Sequence, residues 1–371
     1  MKHAVISLFT GMGGLDVGFA HDVCVHKRSV DEEFIANQHK SVPGFVMLKP
    51  QPFHTVFQND IDTFAKDLAQ RNGWGDNYHL GDVRELLADD TVVLPKADVV
   101  IGGFPCTDFS NSGKKQGLHT ERGRLYEAFV EVVDRVKPKV FVAENVRGIL
   151  KIKQTKPIDT ITKAFEDVGY TVKHQLVKCE EYGIPQKRHR IVILGVRNDL
   201  VSALPDDWNV LDFNKRQCEV KHYFKHLREP SESDDVAQQK LSRSKVVANW
   251  NEGNREVNMD GFAPTVRTNA GNNPDFRRKD GGNNEQNMPQ RRLTLREVGL
   301  LQTFAPNAIL TGSKRPSLKS YVPIGNAVPP LLAYLIAEKV KRVLSSTCDA
   351  VLPAPVEEAR EELGEQECSK C

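Results

Sequence analysis

Short apolar runs alternate with stretches of helical spacing along the first two hundred residues. Val5–Phe9, Ala97–Ile101 and Val140–Ala143 are short apolar runs, interrupted only by Ser7 and Asp98 and rich in β-branched and aromatic residues. That is the pattern of strands buried on both faces. Between the last two, Leu125, Phe129, Val132, Val133 and Val136 recur at helical spacing and predict an amphipathic helix. Residues 171–177 and 191–196 predict a pair of strands joined by a polar connection that contains Pro185. Strands alternating with helices predict an α/β fold, a parallel sheet with crossover helices.

The texture changes from about residue 200 to 290, where the chain is polar and weakly periodic, with ten asparagines within 249–287. Trp208, Phe213, Tyr223, Phe224, Trp250, Phe262 and Phe276 persist through it, which predicts a second, loop-rich lobe rather than a disordered insertion. Helical spacing returns at Leu293–Phe304 and Leu331–Leu344, and residues 20–53 look inserted within the first half. No internal repeat is present. A chain of 371 residues suits two such lobes.

Composition adds exclusions. With 39% hydrophobic and 27% charged residues, the chain is that of a soluble globular protein. No stretch approaches the roughly 20 apolar residues of a membrane helix. MKHAVISLFTGMGG has too short an apolar run for a signal peptide, and a glycine turn stands where a cleavage site should lie. A cytoplasmic protein with no membrane partner is expected. Seven scattered cysteines argue against a disulfide framework. The terminal pair Cys368 and Cys371 lacks a second pair of ligands, and no metal is expected. Residues 350–371 carry a net charge of −4, which leaves the remainder at +6, compatible with a polyanionic partner.

Three places carry candidate chemistry. The turn F-T-G-M-G-G, Phe9–Gly14, follows a strand and precedes a predicted helix, so its glycines let the backbone approach a cofactor. Asp60 in N-D-I-D is placed to accept ribose hydroxyls, and Asp82 in G-D-V an adenine amino group. The run G-G-F-P-C-T-D-F-S, Gly102–Ser110, sets Cys106 just past a buried strand, followed by Lys114 and Lys115, a context that favours a reactive thiolate. The next strand ends in A-E-N-V, with Glu144 at the same sheet edge. Y-G-I-P-Q-K-R-H-R then brings in Arg190, which returns to that edge if its strand runs antiparallel.

These motifs, in this order, resemble the DNA (cytosine-5) methyltransferase family. SLFTGMGGLDVGF is similar to its cofactor turn, GFPCTDFSNSGKKQG to its nucleophile loop and ENV to its acid motif. YGIPQKRHRIVILGVRNDL resembles the motif carrying its active-site arginine, and RRLTLREVGLLQTF and IGNAVPP its two late motifs. Two positions depart from the pattern. Thr107 stands where glutamine is frequent, and Ile61 where an aromatic usually follows the acid.

The resemblance implies a Rossmann-like S-adenosylmethionine-dependent domain, 1–199 plus 313–350, a smaller target-recognition domain over 200–312, and an acidic tail over 351–371. It implies Cys106 as nucleophile at carbon-6 of a flipped cytosine, Glu144 at N3 and Arg190 at O2. For S-adenosylmethionine it implies Phe9, Gly11, Gly13, Gly14, Leu15, Asp60, Ile61, Asp82, Pro105, Leu125 and Asn326. Ser110, Ser112, Lys114, Lys115, Arg122 and Arg124 become DNA contacts. Double-stranded DNA is the expected partner of a monomeric enzyme, with a restriction endonuclease as a possible genetic partner. A transfer-RNA cytosine methyltransferase of the same fold, a dinucleotide-dependent oxidoreductase and a non-catalytic DNA-binding module stay open as alternatives.

Overall fold

The computed structural model describes residues 2–105, 124–150, 156–239, 256–268, 277–278, 293–312 and 318–349. The strands in chain order are β1 (His3–Leu8), β2 (Cys24–His26), β3 (Ile35–Gln38), β4 (Phe45–Leu48), β5 (Phe53–Asp60), β6 (Tyr78–Leu80) and β7 (Val99–Gly102). They continue as β8 (Val140–Val146), β9 (Tyr170–Lys178), β10 (Gln186–Lys187), β11 (His189–Arg197), β12 (Glu256–Val257), β13 (Ala263–Pro264) and β14 (Arg277–Arg278). The helices are α1 (Gly14–Ala20), α2 (Thr63–Arg71), α3 (Val83–Ala88), α4 (Leu125–Val136), α5 (Pro157–Asp167), α6 (Val220–Phe224) and α7 (Val236–Gln239). Three more, α8 (Leu295–Leu301), α9 (Tyr321–Asn326) and α10 (Pro330–Asp349), follow.

Seven strands form one sheet in the order β6-β5-β1-β7-β8-β11-β9. It is parallel throughout except for β11, which runs antiparallel to both β8 and β9. Successive residues point to opposite faces. Val5, Ile101, Val142 and Leu194 enter a core covered by α1 and α10; Ile6, Val100, Phe141 and Ile193 enter one covered by α4 and α5. Burial on both faces is why these strands read as near-continuous apolar runs. Strand order reverses beside β1, between β5 and β7, and open α/β sheets build their sites at the carboxyl ends of such strands. Gly18 lets α1 press against α10, since a Cβ there would lie 2.4 Å from Ala333.

The polar second half supplies a third core from Tyr223, Phe224, Val266, Leu295, Val298, Phe304 and Leu310, joined by Tyr321 and Ile324. The sequence T-L-R-E starts α8 with a capping box, in which the Thr294 hydroxyl accepts from Glu297 N–H and Glu297 returns to Thr294 N–H. Tyr321 Oη donates to Leu293 O at 2.7 Å and Gln302 Nε2 to Ile324 O at 2.6 Å, so residues on both sides of position 312 share this core. Residues 20–53 hold a separate three-stranded antiparallel sheet in the order β2-β4-β3.

Candidate active site

The turn after β1 lies at the strand-order reversal. Phe9, Gly11 and Gly13 all have positive φ, of 53°, 57° and 91°. A phenylalanine held in the left-handed region stores strain that the surrounding contacts must hold in place. Gly11 N–H donates to Asp60 Oδ2 at 2.8 Å, and Tyr78 Oη donates to Gly11 O at 2.9 Å. A Cβ on Gly11 would meet nothing within 4 Å, so this corner faces open space. Asp60 ends β5, where burial raises its pKa against hydrogen bonds from the Asp62 and Gly11 amides. Ile61 beside it is 67% exposed, an apolar face next to a hydrogen-bonding carboxylate. An open main-chain corner, an acid and an apolar flank fit a nucleoside.

Other expected cofactor residues are placed differently. Gly14 is buried, and a Cβ on it would lie 2.4 Å from Val328 O, so its glycine character serves packing against the late G-N-A-V-P-P segment. The Leu15 side chain is buried in the α1/α10 core, and only its main chain borders the turn. Phe9 and Leu125 are partly buried against the α4/α5 core. Asp82 caps α3 through Arg84 N–H and pairs with the Arg84 guanidinium at 2.7 Å, which holds its pKa down. Asn326 is exposed at the end of α9.

Beneath the turn lies a buried network that the motif reading did not reach. Asp16 on α1 accepts from Ser7 Oγ at 2.8 Å, Gln58 Nε2 at 3.0 Å and Thr55 Oγ1, while Thr10 Oγ1 donates to Ser7 Oγ at 3.0 Å. Burial pushes the Asp16 pKa up to about 6, its hydrogen bonds offsetting part of the effect. Between roughly pH 4 and 6 the folded chain therefore holds a proton that the unfolded chain has released. Asp16 contributes most to stability below that window, and the contribution is lost as pH rises through it. The unfolding free energy of the native chain relative to Asp16→Asn is expected to fall by up to about 3 kcal/mol between pH 4 and 7. Urea titrations across that range measure it, and a flat difference would refute the assignment.

The second half of the site is a buried ion pair. Glu144 near the end of β8 faces Val192 across the β8–β11 ladder, and Arg190 sits two residues earlier on the same face of β11. Arg190 Nε comes to 2.7 Å from Glu144 Oε1. No hydrogen is aimed along that line, so Oε1 has no hydrogen bond among the described residues, while Arg190 Nη1 donates to His189 O at 2.8 Å. The antiparallel return of β11 therefore brings together two of the three residues that the motifs singled out. Phe104 O accepts from Asn145 Nδ2 at 3.3 Å, and a Cβ on Gly103 would lie 3.1 Å from Glu144 Oε2. The segment leading into the cysteine loop thus passes directly over the Glu144 carboxylate, with Pro105 at its end. Cys106, Ser110, Ser112, Lys114, Lys115 and Arg122 lie outside the described residues. Arg124 is exposed at the start of α4 and pairs with Glu127.

Sequence reading also missed what Q-K-R-H-R does besides presenting Arg190. Gln186 and Arg188 are fully buried. Gln186 accepts from Val266 N–H at 2.7 Å and donates to Leu301 O at 3.0 Å and Gln302 Oε1 at 2.8 Å. Arg188 donates to Val266 O at 3.2 Å, Gly325 O at 3.1 Å and Ala327 O at 2.9 Å. It is a buried cation held by carbonyls, its pKa pushed down to about 9 by burial and by neighbouring Arg190. The signal available was the two-residue period that puts 186, 188 and 190 on one side of an extended chain. Arg188→Met is expected to destabilise the chain by about 2–6 kcal/mol, because Val266 O and Gly325 O each lose a charged donor at roughly 1–3 kcal/mol apiece. Chemical denaturation checks this; a loss under 1 kcal/mol would refute it.

An open parallel sheet with one antiparallel inner strand, a nucleoside-fitting turn and a buried carboxylate–guanidinium pair at the same edge defines a Rossmann-like transferase. The family model for C-5 cytosine-specific DNA methylases matches residues 3–342, and the chain belongs to that family. It is 29% identical over 365 residues to the Type II methyltransferase M.BspRI of Lysinibacillus sphaericus, covering 91% of this chain and 81% of that protein. Against M.FnuDI of Fusobacterium nucleatum the identity is 27%, covering 92% and 95%. M.NgoFVII of Neisseria gonorrhoeae is 37% identical over 198 residues, 53% of this chain and 45% of that protein, so that match spans under half of its length. The fold is shared with the Entamoeba histolytica methyltransferase EhMeth (TM-score 0.59, 13% identity, 93% of this chain and 99% of that one). It is shared equally with the S. pombe Dnmt2 methyltransferase (TM-score 0.58, 16% identity, 92% and 99%).

Proposed function

We propose that this methyltransferase modifies carbon-5 of cytosine in a specific sequence of double-stranded DNA, through a covalent bond between Cys106 and carbon-6. The observation that carries the reading is the buried Glu144–Arg190 pair with the Gly103–Pro105 segment running over it. Carbon-5 of cytosine is a weak nucleophile, and addition of the Cys106 thiolate to carbon-6 makes it enamine-like. Glu144, paired with Arg190 through Oε1, holds a proton at N3 and relieves the charge built up by that addition. Arg190 keeps Glu144 oriented and offers its guanidinium to O2. Once carbon-5 carries a methyl group, loss of its proton to solvent expels the cysteine as thiolate and restores the aromatic ring. Inside a stacked duplex none of these groups can reach the ring, so the base is flipped out.

When bound, S-adenosylmethionine supplies an electrophilic methyl group. Phe9, Gly11, Gly13, Asp60 and Ile61 would hold its nucleoside, with Pro105 and Asn326 towards the reacting end. Asp82 would accept from adenine only with the oxygen capacity left by Arg84. We further assign residues 1–199 with 313–350 to catalysis and 200–312 to target recognition, and take the chain as a cytoplasmic monomer. The Type II designation of its relatives supports a cognate restriction endonuclease as genetic partner.

Bisulfite sequencing of plasmid and transfer RNA from cells expressing the chain tests this. Protected cytosines in one plasmid sequence context are expected. Protection confined to transfer RNA would overturn the reading.

A further inference from the structure

We infer that the β2-β4-β3 sheet is a bracket that sets the position of the second-half lobe relative to the strand bearing Arg190. This rests on reading that lobe as the target-recognition unit. The sheet is wedged between two cores, and its alternation divides its side chains between them. Val25, Val46 and Leu48 enter the core under α1 and α10, whereas Cys24 and Phe45 enter the core of the second half.

On the lobe side, the Phe45 ring meets Tyr223 edge-on at 5.5 Å and His226 at 5.1 Å, and His26 stacks on His222 at 5.1 Å. Ser29 Oγ and Tyr223 Oη share a 2.8 Å hydrogen bond, and Asp31 pairs with Arg216. Helix α6 and the residues flanking it, Arg216 and His226, are thus gripped by aromatic, hydrogen-bonded and ionic contacts from one short segment. At the other end, Ser29 presses on the chain that leads into β10 and β11. Gly183 has φ +77°, and a Cβ there would lie 2.0 Å from Ser29 O. Gly183 N–H also donates to Arg216 O at 2.8 Å. Ser29 therefore touches both α6 and the run that ends, seven residues on, at Arg190. The bracket fixes one against the other, so loosening it misplaces DNA relative to Glu144 and Arg190; the cofactor turn meets this core through Met12, while its Gly11 corner is held by Asp60 and Tyr78.

The test is a steady-state comparison on plasmid DNA, with S-adenosylmethionine affinity measured separately by calorimetry on the full chain. Phe45→Ala is expected to lower kcat/KM for DNA at least tenfold with cofactor affinity held within twofold, and Phe45→Leu to restore most of it. Should Phe45→Ala fail to fold, the double variant Tyr223→Phe, Arg216→Gln removes only the polar grip and is expected to lower kcat/KM for DNA at least threefold. DNA parameters unchanged in a folded variant, or equal losses of cofactor affinity and DNA turnover, overturn the bracket. Hydrogen exchange of the native chain reads the lobe assignment separately. Unmethylated plasmid should protect residues 256–268, and absence of protection there overturns the lobe reading itself rather than the bracket.

Discussion

Serine at position 106 is expected to abolish methylation and to leave no covalent complex with duplex DNA carrying 5-fluorocytosine. Fluorine at carbon-5 cannot leave as a proton does, so the native chain should be trapped on that substrate with its cysteine still attached to carbon-6. A serine hydroxyl is a far weaker nucleophile at neutral pH than a thiolate. Two features set the reach of the cysteine from the framework side: the Asn145 bond to Phe104 O and the close passage of Gly103 over Glu144. Cofactor affinity should be unchanged, because Gly11 follows β1, Asp60 ends β5 and Ile61 follows it, whereas position 106 comes after β7 in the chain. A Cys106→Ser protein that still methylates DNA, or still forms the covalent species, would end the assignment.

Glu144→Gln is expected to slow single-turnover methyl transfer about 10²–10⁴-fold, the range for removing a positioned proton donor. Glutamine keeps the shape but carries no proton that it can hold at N3 and release. It also leaves the Arg190 guanidinium, now 2.7 Å from a carboxylate oxygen, facing a neutral amide in a buried setting. The loss should therefore appear in the rate of the chemical step more than in the concentration of DNA needed to saturate it. A rate within fivefold of native would show that the proton at N3 comes from elsewhere.

The parts legible in the sequence were those where burial is two-sided or the period is clean. β1, β7 and β8 overlap the predicted apolar runs, and α4 spans Leu125–Val136 as its spacing predicted. The return of Arg190 to the Glu144 edge needed only an antiparallel strand, and β11 is one. Residues 24–48 were opaque for a physical reason. Their alternate side chains serve different cores, so neither an amphipathic nor a fully apolar pattern results. Arg188 was hidden because a charge in Q-K-R-H-R reads as surface, whereas carbonyls from three separate positions satisfy it inside. Asp82 looked free as a ligand because its partner, Arg84, stands only two residues away.

The clamp formed by Gln186 and Arg188 has one further consequence. Almost everything it grips is main chain: the amide and carbonyl of Val266 and the carbonyls of Leu301, Gly325 and Ala327. Backbone groups are the same whatever residue carries them. The joint between the two halves is thus indifferent to side-chain identity at most positions it holds, as a standard socket is to the tool fitted into it. Sequence in the second half can diverge without the joint having to be reinvented.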